Sequence, residues 1–117
     1  MTVMEFYDAI GSSYDQAKGR LLSEERIKKY LRKFTEKDEF ITIDQLFKEQ
    51  SYEEAFRAAH TLKGMALNLE LGDLAKISSE LCEEVRHGAP TKDISGMISD
   101  MGKAYYSTID LIKEIEE

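Results

Sequence analysis

The segment SYEEAFRAAHTLKGMALNL, residues 51–69, carries the clearest structural signal in the sequence. Its apolar residues recur at spacings of three and four: Tyr52, Ala55, Ala59, Leu62, Ala66 and Leu69. This period places them along one face of an α-helix, which can pack against neighbouring helices. Ser51 and Glu54 stand at the positions of a capping box, so a helix is predicted to begin after Ser51 and to run to about Leu69.

The rest of the chain repeats this helical period. Ser23, Asp38 and Asp73 each precede an apolar stripe and are predicted N-caps. The predicted first, second and last helices span about residues 4–10, 14–18 and 94–115. The tetrapeptide FITI, residues 40–43, has a strand-like composition, but a lone strand has nothing to pair with, so it is assigned to a helix.

Short connections between these long helices favour antiparallel neighbours. The predicted fold class is therefore all-α: an antiparallel, up-and-down four-helix bundle with short N-terminal helices. The 117 residues match the size of one domain, and 42% hydrophobic residues are enough for one core. We expect a single domain over residues 1–117, with a helical extension over about 1–22 and the bundle over about 23–117.

Composition narrows the classes of function. The 23 acidic and 16 basic residues give a formal charge of −7, without the basic footprint of a nucleic-acid binder. No apolar stretch approaches the length of a membrane span, and the N-terminus lacks the basic start of a signal peptide. Cys82 is the single cysteine, so an internal disulfide is impossible. We expect a cytoplasmic monomer that binds neither nucleic acid nor membranes.

His60 is predicted to point away from the core, because it lies about 130° around the helix from the centre of the apolar stripe. The residues around it on that side are Phe56, Arg57, Lys63, Gly64 and Leu67. Gly64 is in the helix interior, where glycine costs about 1 kcal/mol relative to alanine, and close approach by a partner would account for it. Phe56 and Leu67 suit a docking patch; the alternative is that they pack beneath an adjacent helix.

These residues resemble the histidine-containing phosphotransfer (Hpt) domains of multistep phosphorelays. In that family a lysine and a glycine follow the histidine by three and four residues, and apolar residues follow by nine, eleven and fourteen. The matching residues are His60, Lys63, Gly64, Leu69, Leu71 and Leu74, together with Ala59 and Leu62. The chain departs from the pattern at Met65, where a small residue is usual, and at Glu70, where a glycine is usual. We expect that the turn has moved to Gly72.

The resemblance implies that His60 is the phosphoacceptor, whose Nε2 attacks the aspartyl phosphate of a receiver domain. Lys63, assisted by Arg57, would offset the phosphate charge, and Gly64 would leave clearance for the partner. Phe56 and Leu67 would bind the receiver face.

The resemblance further implies a stand-alone phosphocarrier and not an enzyme. Its partners would be response-regulator receiver domains and a hybrid histidine kinase. The receiver supplies the metal, so no cofactor of its own and no metal site are expected. The sequence has no nucleotide-binding motif, which excludes a complete histidine kinase.

Three other interpretations stay open. A helical adaptor would bind a receiver or kinase through the same patch without carrying phosphate. A metal-binding bundle would use His60, His87 and Cys82, although the two histidines lie on different predicted helices and neither belongs to a Glu-x-x-His pair. A helix pair that dimerises through its apolar stripes would need more surplus apolar positions than the sequence offers.

Overall fold

The computed structural model describes residues 1–116, which form seven α-helices and no strand. The helices are α1 (Val3–Ala9), α2 (Tyr14–Leu21), α3 (Glu24–Thr35), α4 (Glu39–Lys48), α5 (Tyr52–Asn68), α6 (Gly72–Val85) and α7 (Ser95–Lys113). The predicted all-α class is confirmed, and residues 40–43 lie in α4 as expected.

Four consecutive helices, α4 to α7, form a closed ring of contacts. α4 packs against α5, α5 against α6, and α6 against α7, while α4 also contacts α7. The contact between α5 and α6 is the most extensive of these. The N-terminal helices flank the ring: α3 packs against α7 and α2, and α1 packs against α2 and α3. The molecule is elongated, with extents of 42 × 22 × 20 Å.

Apolar side chains from all seven helices of residues 1–116 form one core. The predicted stripe of α5 is buried, except that Tyr52 is only half-buried. Tyr7 and Tyr105 are the largest fully buried side chains. The Tyr7 hydroxyl donates to the Leu69 carbonyl at 2.8 Å, and the Tyr105 hydroxyl donates to the Lys37 carbonyl at 3.1 Å. These bonds satisfy the buried phenols. The first ties α1 to the end of α5, and the second ties α7 to the connection between α3 and α4.

The predicted N-caps are confirmed at Ser23 and Asp38, whose side chains accept from the backbone N–H groups of Arg26 and Ile41. The N-cap predicted at Asp73 is wrong. Leu71 occupies the N-cap position of α6, and Asp73 lies inside the first turn. The helix begins earlier than predicted because the connection from α5 consists only of residues 69–71.

The capping box predicted at Ser51 is also wrong. Ser51 is the N-cap of α5, but its side chain accepts no capping hydrogen bond. Its ψ of 69° departs from the extended backbone of an ordinary N-cap. The Ser51 N–H donates instead to the Leu46 carbonyl at 2.9 Å and closes the end of α4, so it is not available to the Glu54 side chain as the other half of the box requires.

The predicted helix bounds hold to within two residues for α1 and α7. α2 is longer than predicted, because it continues through Gly19 to bury Leu21.

Candidate functional site

The two faces of α5 have different environments. Ala55, Ala59, Leu62 and Ala66 are buried, and the small alanines allow α6 and α4 to pack closely against the helix. His60 lies on the exposed face, as the helical geometry predicts. Its imidazole is therefore accessible to another macromolecule, while its backbone is held in a rigid helix.

The Phe56 ring lies one turn before His60 and stacks on the imidazole. The ring centroids are 5.9 Å apart, and the ring planes are inclined by 21°. Phe56 is half-buried, so one part of it packs on the core and the other faces the histidine. Such a contact places an apolar surface beside the reactive ring.

Lys63 lies one turn after His60 and is half-buried. Its ammonium makes no ion pair or hydrogen bond with residues 1–116. Burial raises the pKa of the Cys82 thiol of α6, and the Lys63 charge opposes this rise. A cation without an internal partner is thus available close to the exposed histidine.

Gly64 leaves the space beyond His60 open. A Cβ atom added at Gly64 would meet no atom within 4 Å. No packing contact within the fold therefore requires glycine at this position, although glycine inside a helix costs about 1 kcal/mol relative to alanine. The opening is consistent with a surface that another molecule approaches closely.

Leu67 and Arg57 complete the set of residues that the sequence places around His60. Leu67 is 50% exposed, a large fraction for leucine in a helix of this core. Arg57 is less free than expected, because its guanidinium pairs with Glu53 at 3.1 Å. Both partners of this pair are highly exposed, so the pair contributes little to stability and can rearrange when a partner binds.

The end of α5 explains why glycine is usual where this chain has Glu70. Glu70 has a φ of +57°, in the left-handed region that glycine adopts without strain. Its N–H donates to the Leu67 carbonyl at 3.2 Å, and the Leu71 N–H donates to the Ala66 carbonyl at 2.8 Å. These two bonds define a Schellman motif with Glu70 as the left-handed residue. The expected move of the turn to Gly72 is wrong, since Gly72 is the first residue of α6.

Arg20 of α2 contacts this end of α5, a contact that the sequence did not indicate. Its Nη1 forms an ion pair with the Glu70 carboxylate at 2.7 Å and also donates to the Leu67 carbonyl. Nearby, burial and the Glu70 charge raise the pKa of Tyr7, which donates to the Leu69 carbonyl. The N-terminal helices thus hold the last turn of α5.

Two grooves flank His60 along α5. The first, which we call the α5-end groove, is lined by Arg20, Gly64, Leu67, Asn68, Glu70 and Gly72, among others. The second lies towards the start of α5 and is lined by Glu53, Phe56, Arg57, Arg86 and His87, among others. A larger apolar groove between α4 and α7 includes no residue of α5. Four of the six residues singled out from the sequence therefore line these grooves: Gly64 and Leu67 on one side of His60, and Phe56 and Arg57 on the other.

The metal-binding interpretation has no cluster to support it in the described part of the chain. Residues 1–116 contain no group of three or more histidine, cysteine, aspartate or glutamate side chains placed to hold a metal ion. Cys82 is buried, whereas His60 and His87 are exposed.

Comparison with known proteins identifies one family. The family model described as Hpt domain matches residues 37–105, more than half of the chain. The match covers α4, α5, α6 and the first part of α7, and leaves α1 to α3 outside. No curated protein and no solved structure shows significant similarity to the chain. Within residues 1–116, no helix has both the length and the apolar character that a membrane span requires.

Proposed function

The chain belongs to the Hpt domain family, the histidine phosphotransfer domains of phosphorelays, and we propose that it is a phosphocarrier whose phosphoacceptor is His60. The observation that carries this proposal is the exposed imidazole of His60 on the open face of α5, inside the matched segment. The carrier exchanges the phosphoryl group with aspartates of receiver domains.

An exposed imidazole suits nucleophilic attack on phosphorus. In neutral His60 with its proton on Nδ1, the Nε2 lone pair attacks the phosphorus of a receiver aspartyl phosphate. The P–N bond forms as the P–O bond to the aspartate breaks, and the aspartate leaves as a carboxylate. The reverse sequence passes the group to a second receiver. Transfer with the attacking and leaving atoms in line needs open space around the ring, which the exposed face provides.

The neighbours of His60 have complementary roles in this proposal. Lys63 offsets the charge of the phosphoryl group, since its ammonium makes no ion pair with the described residues. Arg57 assists when it leaves Glu53. Gly64 gives clearance to the active-site loops of the receiver, in line with the open space at this position. Phe56 and Leu67 bind the receiver face.

The proposal includes the arrangement of the domain. The ring of α4 to α7 is an antiparallel, up-and-down four-helix bundle, because connections as short as residues 49–51 and 69–71 reverse the chain between packed helices. Residues 1–117 act as one domain, in which the extension over about 1–22 and helix α3 flank the bundle. The carrier is a cytoplasmic monomer, separate from its receivers and from the hybrid kinase that charges them. It needs no cofactor of its own, because the receiver holds the metal.

Phosphate transfer from a labelled receiver tests the proposal. Receiver domains of the source organism are charged with radiolabelled acetyl phosphate and mixed with the full chain. We expect acid-labile label on the wild-type chain and none on His60→Gln, because glutamine lacks the nucleophilic ring. His87→Gln is the matched control and should accept label normally, since His87 is exposed on another part of the chain.

Label on His60→Gln, or loss of label only in His87→Gln, would contradict the assignment of His60. Receiver binding without any labelling of the wild-type chain would instead identify a helical adaptor.

A further inference from the structure

Arg20 joins a helix outside the family match to the helix that carries His60. It belongs to α2, whereas the Hpt match begins at residue 37. Its side chain reaches across to Glu70 and to the Leu67 carbonyl at the end of α5. Arg20 therefore lies outside the matched segment that contains His60.

The position of Arg20 suits contact with the partner protein and not with the phosphoryl group. Leu67 lies seven residues after His60, which corresponds to about 10 Å along the helix axis. A phosphoryl group on His60 is too small to span this distance. A receiver that covers His60, Gly64 and the exposed Leu67 side chain reaches the α5-end groove, because Gly64 and Leu67 also line that groove.

The guanidinium of Arg20 is fixed but incompletely used. Both of its contacts with described residues involve Nη1, so Nη2 and Nε donate to no acceptor within residues 1–116. The side chain remains 44% exposed, whereas its partner Glu70 is only 16% exposed. An arginine held in this way presents a planar edge of two donors, which matches the two oxygens of a carboxylate.

We propose that Arg20 is a specificity-determining residue, which binds an acidic side chain on the docking face of the receiver through the α5-end groove. This inference rests on the proposed phosphocarrier function and deepens it. The groove is continuous with the surface around His60, since Gly64 belongs to both.

Substitution of Arg20 alone would change both receiver binding and the stability of the last turn of α5. Arg20→Ala leaves the mostly buried Glu70 carboxylate without its ion-pair partner, and it can loosen the last turn of α5. Glu70→Gly removes this problem, because glycine suits the left-handed φ at position 70 and needs no cation. The matched comparison is therefore Glu70→Gly against Arg20→Ala/Glu70→Gly, with Arg20→Lys/Glu70→Gly as the conservative variant.

The experiment measures transfer from a phosphorylated receiver as a function of receiver concentration. The probe is the receiver domain of the source organism that charges the wild-type chain fastest. Relative to Glu70→Gly, we expect Arg20→Ala/Glu70→Gly to raise KM about tenfold with kcat unchanged. The lysine variant should recover part of the loss, and the difference should shrink in about 0.5 M salt, where exposed charges are screened.

Phosphorylation of His60 by phosphoramidate separates a docking role from a structural one. If Arg20 acted only by stabilising the site, its substitution would also slow this reaction. This small donor needs no docking surface, so its rate should be equal in all variants. An unchanged KM in Arg20→Ala/Glu70→Gly would overturn the role of Arg20 while leaving the phosphocarrier function standing. A parallel loss of phosphoramidate labelling would overturn it too, because the substitution would then disturb the site itself. A wild-type chain that no receiver charges would overturn both proposals.

Discussion

The buried and exposed faces of α5 differ in what their residues do. On the buried face, three alanines and Leu62 pack against the neighbouring helices, and none of them carries reactive chemistry. On the other face, His60 and Leu67 are exposed, Gly64 leaves open space, and the half-buried Phe56 stacks on His60, so these residues form the surface that a partner can reach. The residues of α5 that stabilise the fold and those available for recognition therefore lie on different sides of the same helix. Substitutions on the two faces should therefore affect different measurements.

The largest expected difference in the free energy of unfolding is between alanine substitutions of two leucines of α5. Leu62→Ala empties a position that is 1% exposed and should lower the free energy of unfolding by about 2–5 kcal/mol. Leu67→Ala should change it by less than about 0.5 kcal/mol, because the side chain is half-exposed. Urea unfolding measures both. Leu67→Ala should instead weaken receiver transfer. Equal destabilisation by the two substitutions would remove the distinction between the faces.

The next comparison uses two helical glycines. A Cβ at Gly102 of α7 would lie 2.8 Å from the Phe40 ring, whereas a Cβ at Gly64 would meet nothing. Gly64→Ala should therefore stabilise the fold by about 1 kcal/mol through helix propensity, and Gly102→Ala should destabilise it by about 1–2 kcal/mol through overpacking. Thermal unfolding checks both signs.

A larger side chain at Gly64 tests whether the partner uses the open space at this position. Gly64→Gln should fold as well as Gly64→Ala but reduce transfer from a receiver about tenfold or more, because its side chain occupies the space beside His60. Transfer at the wild-type rate in Gly64→Gln would show that the opening at Gly64 is not used by the partner.

The smallest expected effects are at two helix ends with the same geometry. Gln50 closes α4 with a φ of +58° and Glu70 closes α5 with a φ of +57°. Gln50→Gly should raise the free energy of unfolding by about 0.5–1 kcal/mol, because it relieves left-handed strain and the uncharged Gln50 side chain forms no ion pair that could be lost. Glu70→Gly should gain less, since it also loses the pair with Arg20. A larger gain at Glu70 than at Gln50 would show that the ion pair contributes nothing to stability.

Local signals predicted most of the helical structure. The apolar period identified the helices and the inward face of α5, and helical geometry alone placed His60 on the outside. Capping was less predictable. Ser51 lies in a junction where its N–H already closes the preceding helix, and Asp73 follows a connection too short to place it at the cap. In both cases the end of one helix determined the start of the next, which a pattern within a single helix does not contain.

The sequence by itself determined the all-α class, the exposed histidine and the family motif around it, because each depends on spacings within one or two turns of a helix. Only the tertiary structure decided how Glu70 adopts a conformation usual for glycine, and which residue pairs with it. Arg20 lies fifty residues before Glu70 in the chain. The packing of α2 against its neighbours brings the Arg20 Nη1 atom to 2.7 Å from the Glu70 Oε1 atom. Contacts between residues so far apart depend on the whole fold, since no local spacing encodes them.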